Sequence, residues 1–361
     1  MKSRFSIPLG SPFGIKISIH WTFGFLIAWI VLVSVNQGLE VYQILMQIVF
    51  VLTIFVCVVL HELGHSLMAI RLGGKVESIT LLPIGGMANM SEMPEKPREE
   101  FLVSAAGPLV NVVIALLLML YMSWIHPVSP DDMEFEAITF QNFPVMLLAA
   151  NLFIVAFNLI PAFPMDGGRL FRSALAMKMS RLQATSIAKD IGQIFAIIFI
   201  IAGIFVNPFL IIIGIFVLLG AKGEHEMIKY QDILNQYTVE DVLKTDYQAL
   251  DADETIGQAA EKLVHISDRG FVITSEGEFA GLLTKNDIIK GLNERGREIA
   301  VKEFMDSDVP SVRSSDSLFE VYKDMRRNQH EIVPVKAGDN FKGVLELENI
   351  NEFLLIKKAI V

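Results

Sequence analysis

Cysteine is nearly absent from this chain of 361 residues: Cys57 stands alone. A single cysteine cannot close an internal disulfide, and it excludes a metal site built on paired thiolates. Charge is scarce as well. Charged residues make up 19% of the sequence against 52% hydrophobic ones, and mean hydropathy is +0.49. Such a composition argues against an ordinary water-soluble globule and for a membrane protein. The charge that exists is unevenly placed. Residues 1–222 hold 13 Lys and Arg against 13 Asp and Glu, and the rest of the chain holds 17 against 27. The net −10 therefore belongs to the back of the chain. The net charge argues against nonspecific nucleic-acid binding, which needs a cationic surface.

What is present in the front part is long apolar runs. Residues 17–35, 41–60, 101–125 and 143–163 are nearly free of charge, and a bilayer crossing needs about 20 such residues. Each is expected to span. The run 191–220 is interrupted by Asn207-Pro208, where proline breaks a helix. It reads either as a hairpin of two short spans, 191–206 and 208–221, or as one kinked span. Lys and Arg cluster near 2–16, 71–98, 169–189 and 222–229, and are missing from 36–40 and 126–142. Read by the positive-inside rule, that alternation favours the hairpin. It gives about six transmembrane helices in a multi-pass protein of the cell membrane, with N- and C-termini cytoplasmic.

The polar residues within these runs carry the chemistry. His61-Glu62-Leu63-Gly64-His65 continues the second apolar run. Histidines four apart share one helical face and can bind one zinc ion, with Glu62 beside them as a base. Catalytic zinc takes three protein ligands, so a third must come from elsewhere. Asp166, in Pro161-Ala-Phe-Pro164-Met-Asp166-Gly-Gly-Arg169, is the first carboxylate after the fourth run. A plain helix-capping role for Asp166 is the alternative. His20, Asn111 and Asn151 also lie in apolar runs. The two asparagines read as interhelical hydrogen-bonding residues first and active-site neighbours second. Residues 76–90 carry strand-forming and turn-forming residues. They read as a strand and a turn, against the plainer reading of a connecting loop.

H-E-L-G-H in one run and Asn158-x-x-Pro-x-x-Pro-Met-Asp-Gly-Gly-Arg in another resemble the site-2 protease family of intramembrane zinc metalloproteases. Leu82-Pro-Ile-Gly-Gly86 and Ala106-Gly-Pro-Leu-Val-Asn111 extend the resemblance over most of residues 1–222. It implies a hydrolase acting on membrane-protein substrates, with one Zn²⁺ per chain on His61, His65 and Asp166, Glu62 as catalytic base and Asn158 helping to hold the oxyanion.

In the back part the chain repeats itself at an offset of 62. Phe271-Val-Ile273 matches Val333-Pro-Val335, and Phe279-x-Gly281-Leu-Leu283 matches Phe341-x-Gly343-Val-Leu345. A period of this size means two copies of a small α/β domain. Each reads as short helix, strand, helix, two strands and a final helix. The pattern resembles a tandem CBS-domain pair. The expected layout is therefore a multi-pass α-helical membrane domain, 1–221, a linker, 222–237, and a soluble α/β CBS pair at 238–292 and 300–356. Such pairs bind ATP, AMP or related adenine nucleotides and commonly form homodimers. The Thr/Ser-x-x-Asp motif of nucleotide contact is present in copy one as Thr284 and Asp287, whereas copy two has Glu346 and Asn349. A purely structural or dimerising pair stays open beside the nucleotide-binding one. The leading function is intramembrane proteolysis in the lipid bilayer modulated by adenine nucleotide. The rival is a CBS-regulated transporter or ion-binding protein without proteolysis.

Overall fold

The structure is a computed structural model that describes residues 6–360 apart from 84, 93, 95, 126–137, 266–268 and 339. The chain divides into two units, Met1–Glu226 and Met227–Val361. Lys2, Arg4, Ile84, the acidic residues at 131–136 and His126, used in the sequence reading, lie outside the described residues.

Among the described residues the first unit holds α1 (Phe23–Asn36), α2 (Val41–Arg71), α3 (Pro97–Trp124), α4 (Phe143–Asn158), α5 (Asp166–Ala176), α6 (Arg181–Phe205) and most of α7 (Phe209–Leu234). Three of these, α2, α3 and α6, are long and apolar enough to cross a membrane; α1 and α4 are shorter apolar helices. The expected count of six spans is thus approximate. At a rise of about 1.5 Å per residue, α1 reaches about 21 Å and α4 about 24 Å, short of the roughly 30 Å of hydrocarbon. The break at Asn207-Pro208 separates α6 from α7, and Ala196 of α6 shares a core cluster with Val217 of α7. The stretch expected as a linker, 222–237, is largely the end of α7.

The first expected span needs correction. Residues 17–20 belong to a strand, β2 (Lys16–His20), and the helix begins only at Phe23. Polar Lys16, Ser18 and His20 alternate with apolar Ile15, Ile17 and Ile19, which is a strand period and not a helical one. With β1 (Ser6–Gly10), β3 (Lys75–Leu82) and β4 (Gly85–Glu92), β2 forms a four-stranded sheet in the order β1-β2-β3-β4. The β2–β3 pair is parallel and the other two are antiparallel. One face packs on α2, where Leu63 meets Ile15, Ile17 and Ile79. A single row, Ile7, Ile19, Leu81 and Gly86, runs across all four strands. The strand-and-turn segment expected at 76–90 is the β3–β4 hairpin, with β4 at the sheet's edge.

The second unit contains the two copies. Copy one has β5 (Ala249–Asp251), α8 (Ile256–Val264), β6 (Gly270–Ser275), β7 (Glu278–Thr284) and α9 (Lys285–Glu294). Copy two has β8 (Val312–Arg313), α10 (Leu318–Asn328), β9 (Ile332–Ala337), β10 (Asn340–Glu346) and α11 (Leu347–Ile360). A 3-10 turn precedes each, at Val239–Val242 and Val301–Glu303. Each copy folds a three-stranded sheet over its own core, around Phe271 and Leu283 in one and Val333 and Leu345 in the other. The bridges Leu282–Asp306 and Lys244–Val344 tie the copies together, and the 62-residue offset exchanges one bridge for the other. Val272, Leu282, Ile332 and Val344 form the seam between them.

Candidate metal centre

Helix α2 carries His61 and His65 one turn apart, both about 5% exposed. Asp166 opens α5, and a carboxylate in a first helical turn is favoured by the helix dipole. These elements bring three side-chain atoms together. Asp166 Oδ2 lies 3.1 Å from His61 Nε2 and 3.0 Å from His65 Nε2, and the two Nε2 atoms are 3.1 Å apart.

The protons on both rings follow from their outer partners. His65 Nδ1 lies 2.7 Å from the Val103 carbonyl, which can only accept, so Nδ1 carries the hydrogen and Nε2 presents a lone pair. For His61 the argument runs through two asparagines. Asn151 Nδ2 donates to the Leu147 carbonyl at 2.9 Å, which turns its Oδ1 toward Asn111. Asn111 Nδ2 donates to that oxygen at 2.9 Å, leaving Asn111 Oδ1 to accept from His61 Nδ1 at 2.6 Å. His61 Nε2 is then bare as well. Three acceptor atoms thus confront one another with no proton between them. Supplying a proton instead would bury an imidazolium ion. A cation is the simpler partner, and outer hydrogen bonds of this kind orient metal-ligating histidines. Ligand distances of about 2.0–2.1 Å on tetrahedral zinc put ligand atoms about 3.3 Å apart, close to the spacing here. The donor set fits zinc.

Two glycines make room for this arrangement. A Cβ on Gly107 of α3 would overlap the His65 ring, and one on Gly86 of β4 would sit 2.7 Å from Glu62 Cγ. Glu62, on the histidine helix, therefore faces the sheet's edge strand. Asn158, the last residue of α4, is held differently. Its Nδ2 donates to the Ile154 carbonyl of its own helix at 3.0 Å, and it is not among the three clustered donors. Asn111 combines the two readings given to it: it bridges α3 to α4 and orients His61. The signal for it was its place five residues after Ala106 in an apolar run.

In the second unit, Thr284 and Asp287 bond mainly to one another. Asp287 Oδ2 accepts from Thr284 N at 2.9 Å and from Thr284 Oγ1 at 2.6 Å, while Thr284 Oγ1 accepts from Asp287 N at 3.3 Å. This is a reciprocal N-terminal cap of α9. Asp287 also lines a cavity of about 270 Å³ with Lys290, Arg295 and Glu303. At the matching place in copy two, buried Glu346 pairs with Lys244 Nζ at 3.1 Å, and Glu348 pairs with Arg269 at 2.5 Å.

The sequence profile of peptidase family M50 matches residues 49–128 and 122–201, and that of the CBS domain matches 239–294 and 301–356. The chain is 31% identical over 350 residues to the zinc metalloprotease MJ0392 of Methanocaldococcus jannaschii, covering 96% of this chain and 95% of that one. Among solved structures, the site-2 protease from Methanocaldococcus jannaschii is 36% identical, with 61% of this chain and 95% of that one covered and a TM-score of 0.45. The CBS domain pair of protein MJ0100, solved with 5'-methylthioadenosine and S-adenosyl-L-methionine, is 23% identical, with 33% and 97% covered and a TM-score of 0.31.

Proposed function

The chain belongs to peptidase family M50, the site-2 family of membrane-embedded zinc metalloproteases, and from that premise we propose that it hydrolyses peptide bonds within membrane-spanning segments of protein substrates. His61, His65 and Asp166 hold one zinc ion and Glu62 is the catalytic base. The observation that carries this reading is that His61 Nε2, His65 Nε2 and Asp166 Oδ2 lie within 3.1 Å of one another.

Zinc, when bound, supplies a Lewis acid that brings a water's pKa toward about 7. The chain's own residues do the rest. Glu62 takes the proton from the attacking water and returns it to the amine that leaves. Asn158 can turn its amide from the Ile154 carbonyl toward the developing oxyanion, where a donor lowers the barrier. A substrate helix must unwind before it is cut, because helical carbonyls are already bonded. Strand β4 lies at the sheet's edge and its Gly86 abuts Glu62, so an unwound segment can add to that edge as a further strand.

Both termini lie in the cytosol in this reading, on the alternation of Lys and Arg between the apolar runs. The domain limits at 221, 237, 292 and 300 are proposed on the same footing, as is association of two chains through the CBS pair. An adenine nucleotide, ATP or AMP, modulates cleavage by binding at Thr284 and Asp287, whose side chains must then exchange their mutual bonds for bonds to the ligand.

The test is Glu62→Gln on purified full-length protein with a membrane substrate. An amide cannot accept the proton, so the variant should keep about one zinc per chain while cleavage falls by about 10²–10⁴-fold. Undiminished cleavage removes Glu62 from the mechanism.

A further inference from the structure

Arg172 is the largest fully buried side chain in the described residues, and the chemistry above does not use it. It lies six residues after Asp166 on α5, about 9 Å along the helix. Its Nε donates to Glu100 Oε1 at 3.0 Å and its Nη2 donates to the same oxygen. Its Nη1 donates to Glu224 Oε1 at 2.6 Å. The guanidinium lies 5.1 Å from the centre of the Phe163 ring. Arg181 Nη2 of α6 stands 3.6 Å from Glu100 Oε2, so two cations and two carboxylates balance.

Two of the helices joined here, α3 and α5, also build the metal centre. Glu100 is in the first turn of α3, and the same helix supplies the Val103 carbonyl to His65, Asn111 to His61 and Gly107 against the His65 ring. Both histidines are thus oriented by α3. The third donor, Asp166, sits on α5, and its carboxylate oxygen bonds nothing but the two histidines in the contacts above. Arg172–Glu100 is a buried ionic tie between α5 and α3. Removing such charges from water is costly and is offset only when the partners hold a fixed geometry. An apolar contact would let α5 slide or rotate; two guanidinium bonds to one carboxylate oxygen do not.

We infer that Arg172 is a positioning residue: clamped by Glu100 and Glu224, it fixes α5 so that Asp166 meets His61 and His65 as the third ligand. This rests on the assignment of those three residues to zinc. The test uses full-length protein in detergent, with zinc affinity read by chelator competition and ligand geometry by the visible absorption of the cobalt(II)-loaded form. Arg172→Lys keeps the charge but cannot make the paired bonds. Arg172 touches no ligand itself, so this should weaken zinc binding by about tenfold, the low end of the range for a group bonded directly to a ligand, and change the cobalt spectrum. In an Asp166→Ala background the same substitution should weaken binding no further, because the ligand it positions is gone. If Arg172→Lys does not fold, Glu224→Gln, which removes one charge and keeps an acceptor, should weaken zinc binding several-fold in the same direction. A folded variant with unchanged affinity and spectrum overturns the inference, and so does a full Arg172→Lys effect in the Asp166→Ala background. If Asp166→Ala alone leaves affinity unchanged, the zinc assignment itself fails; if it weakens binding and Arg172→Lys does not, only the positioning role fails.

Discussion

His61, His65 and Asp166 and, in the other unit, Thr284 and Asp287 were both singled out by short motifs, yet their polar atoms are spent in opposite ways. In the first unit the outer ring nitrogens are bonded to Val103 and Asn111, and the inner lone pairs face each other. In the second, threonine and aspartate satisfy one another and cap a helix. A cluster of confronted acceptors is unfavourable until a cation arrives. A closed cap is already satisfied, and a ligand must compete with it. The difference separates a site that the fold leaves incomplete from one that the fold has completed without a ligand.

The largest effect should come from removing a confronted acceptor. Asp166→Ala takes away one of three donors and leaves two histidines, still oriented by α3, to hold the ion alone. Zinc content should fall from about one per chain to near zero after mild chelation, and cleavage should drop below detection. The loss should exceed the 10–100-fold expected of an outer-shell partner. A zinc content that stays at one per chain would break the comparison on its metal side.

A step outward, Asn111→Leu removes the acceptor for His61 Nδ1 and leaves Asn151 without its donor. The His61 ring is then free to turn or to change tautomer. Zinc affinity should weaken by about 10–100-fold, measurable by chelator competition, with the helical content unchanged. If affinity holds, the orientation of His61 comes from packing and not from the Asn111–Asn151 relay.

How much of this was legible follows the range of each interaction. His61 and His65 share a helical face, and the copies of the repeat match without a gap, so local pattern suffices for both. Strand β2 is hidden at the start of the apolar run 17–35 because it needs β3, with Ser18 paired to Thr80 far along the chain. Alternation over five residues inside an apolar stretch is a weak signal without that partner. Arg172 falls in the Lys and Arg cluster near 169–189 that points to topology, yet it is buried between Glu100 and Glu224. Composition gives a cation's place in the chain; its burial depends on carboxylates 72 and 52 residues away.

On the other side of the comparison, Thr284→Ala opens the cap of α9. The loss of an N-cap hydroxyl costs about 0.5–2 kcal/mol, and it should appear as faster amide exchange in the first turn of α9. The same variant probes the proposed nucleotide role. Calorimetry with millimolar ATP on the full-length protein should give binding that Thr284→Ala abolishes. Equal binding by wild type and variant would leave Thr284 as a cap alone.

The smallest effect belongs to copy two, where Glu348 and Arg269 meet at 2.5 Å with both side chains nearly half exposed. The hydrogen bond and the charge of the Arg269 guanidinium hold the Glu348 carboxyl below its ordinary range. A carboxyl whose pKa is lowered by folding adds stability at pH values above its unfolded pKa of about 4.3, and that stability fades as pH falls through the folded value. Solvent screens a pair this exposed, so its worth is at most about 0.5 kcal/mol. Glu348→Gln should therefore lower the melting temperature of the second unit by a degree or two at neutral pH, about what so small an energy gives in a domain of this size. The difference from wild type should shrink near pH 3 and also in about 1 M salt, where the Debye length is about 3 Å. A deficit that persists in both conditions would mean that Glu348 acts through packing and not through charge.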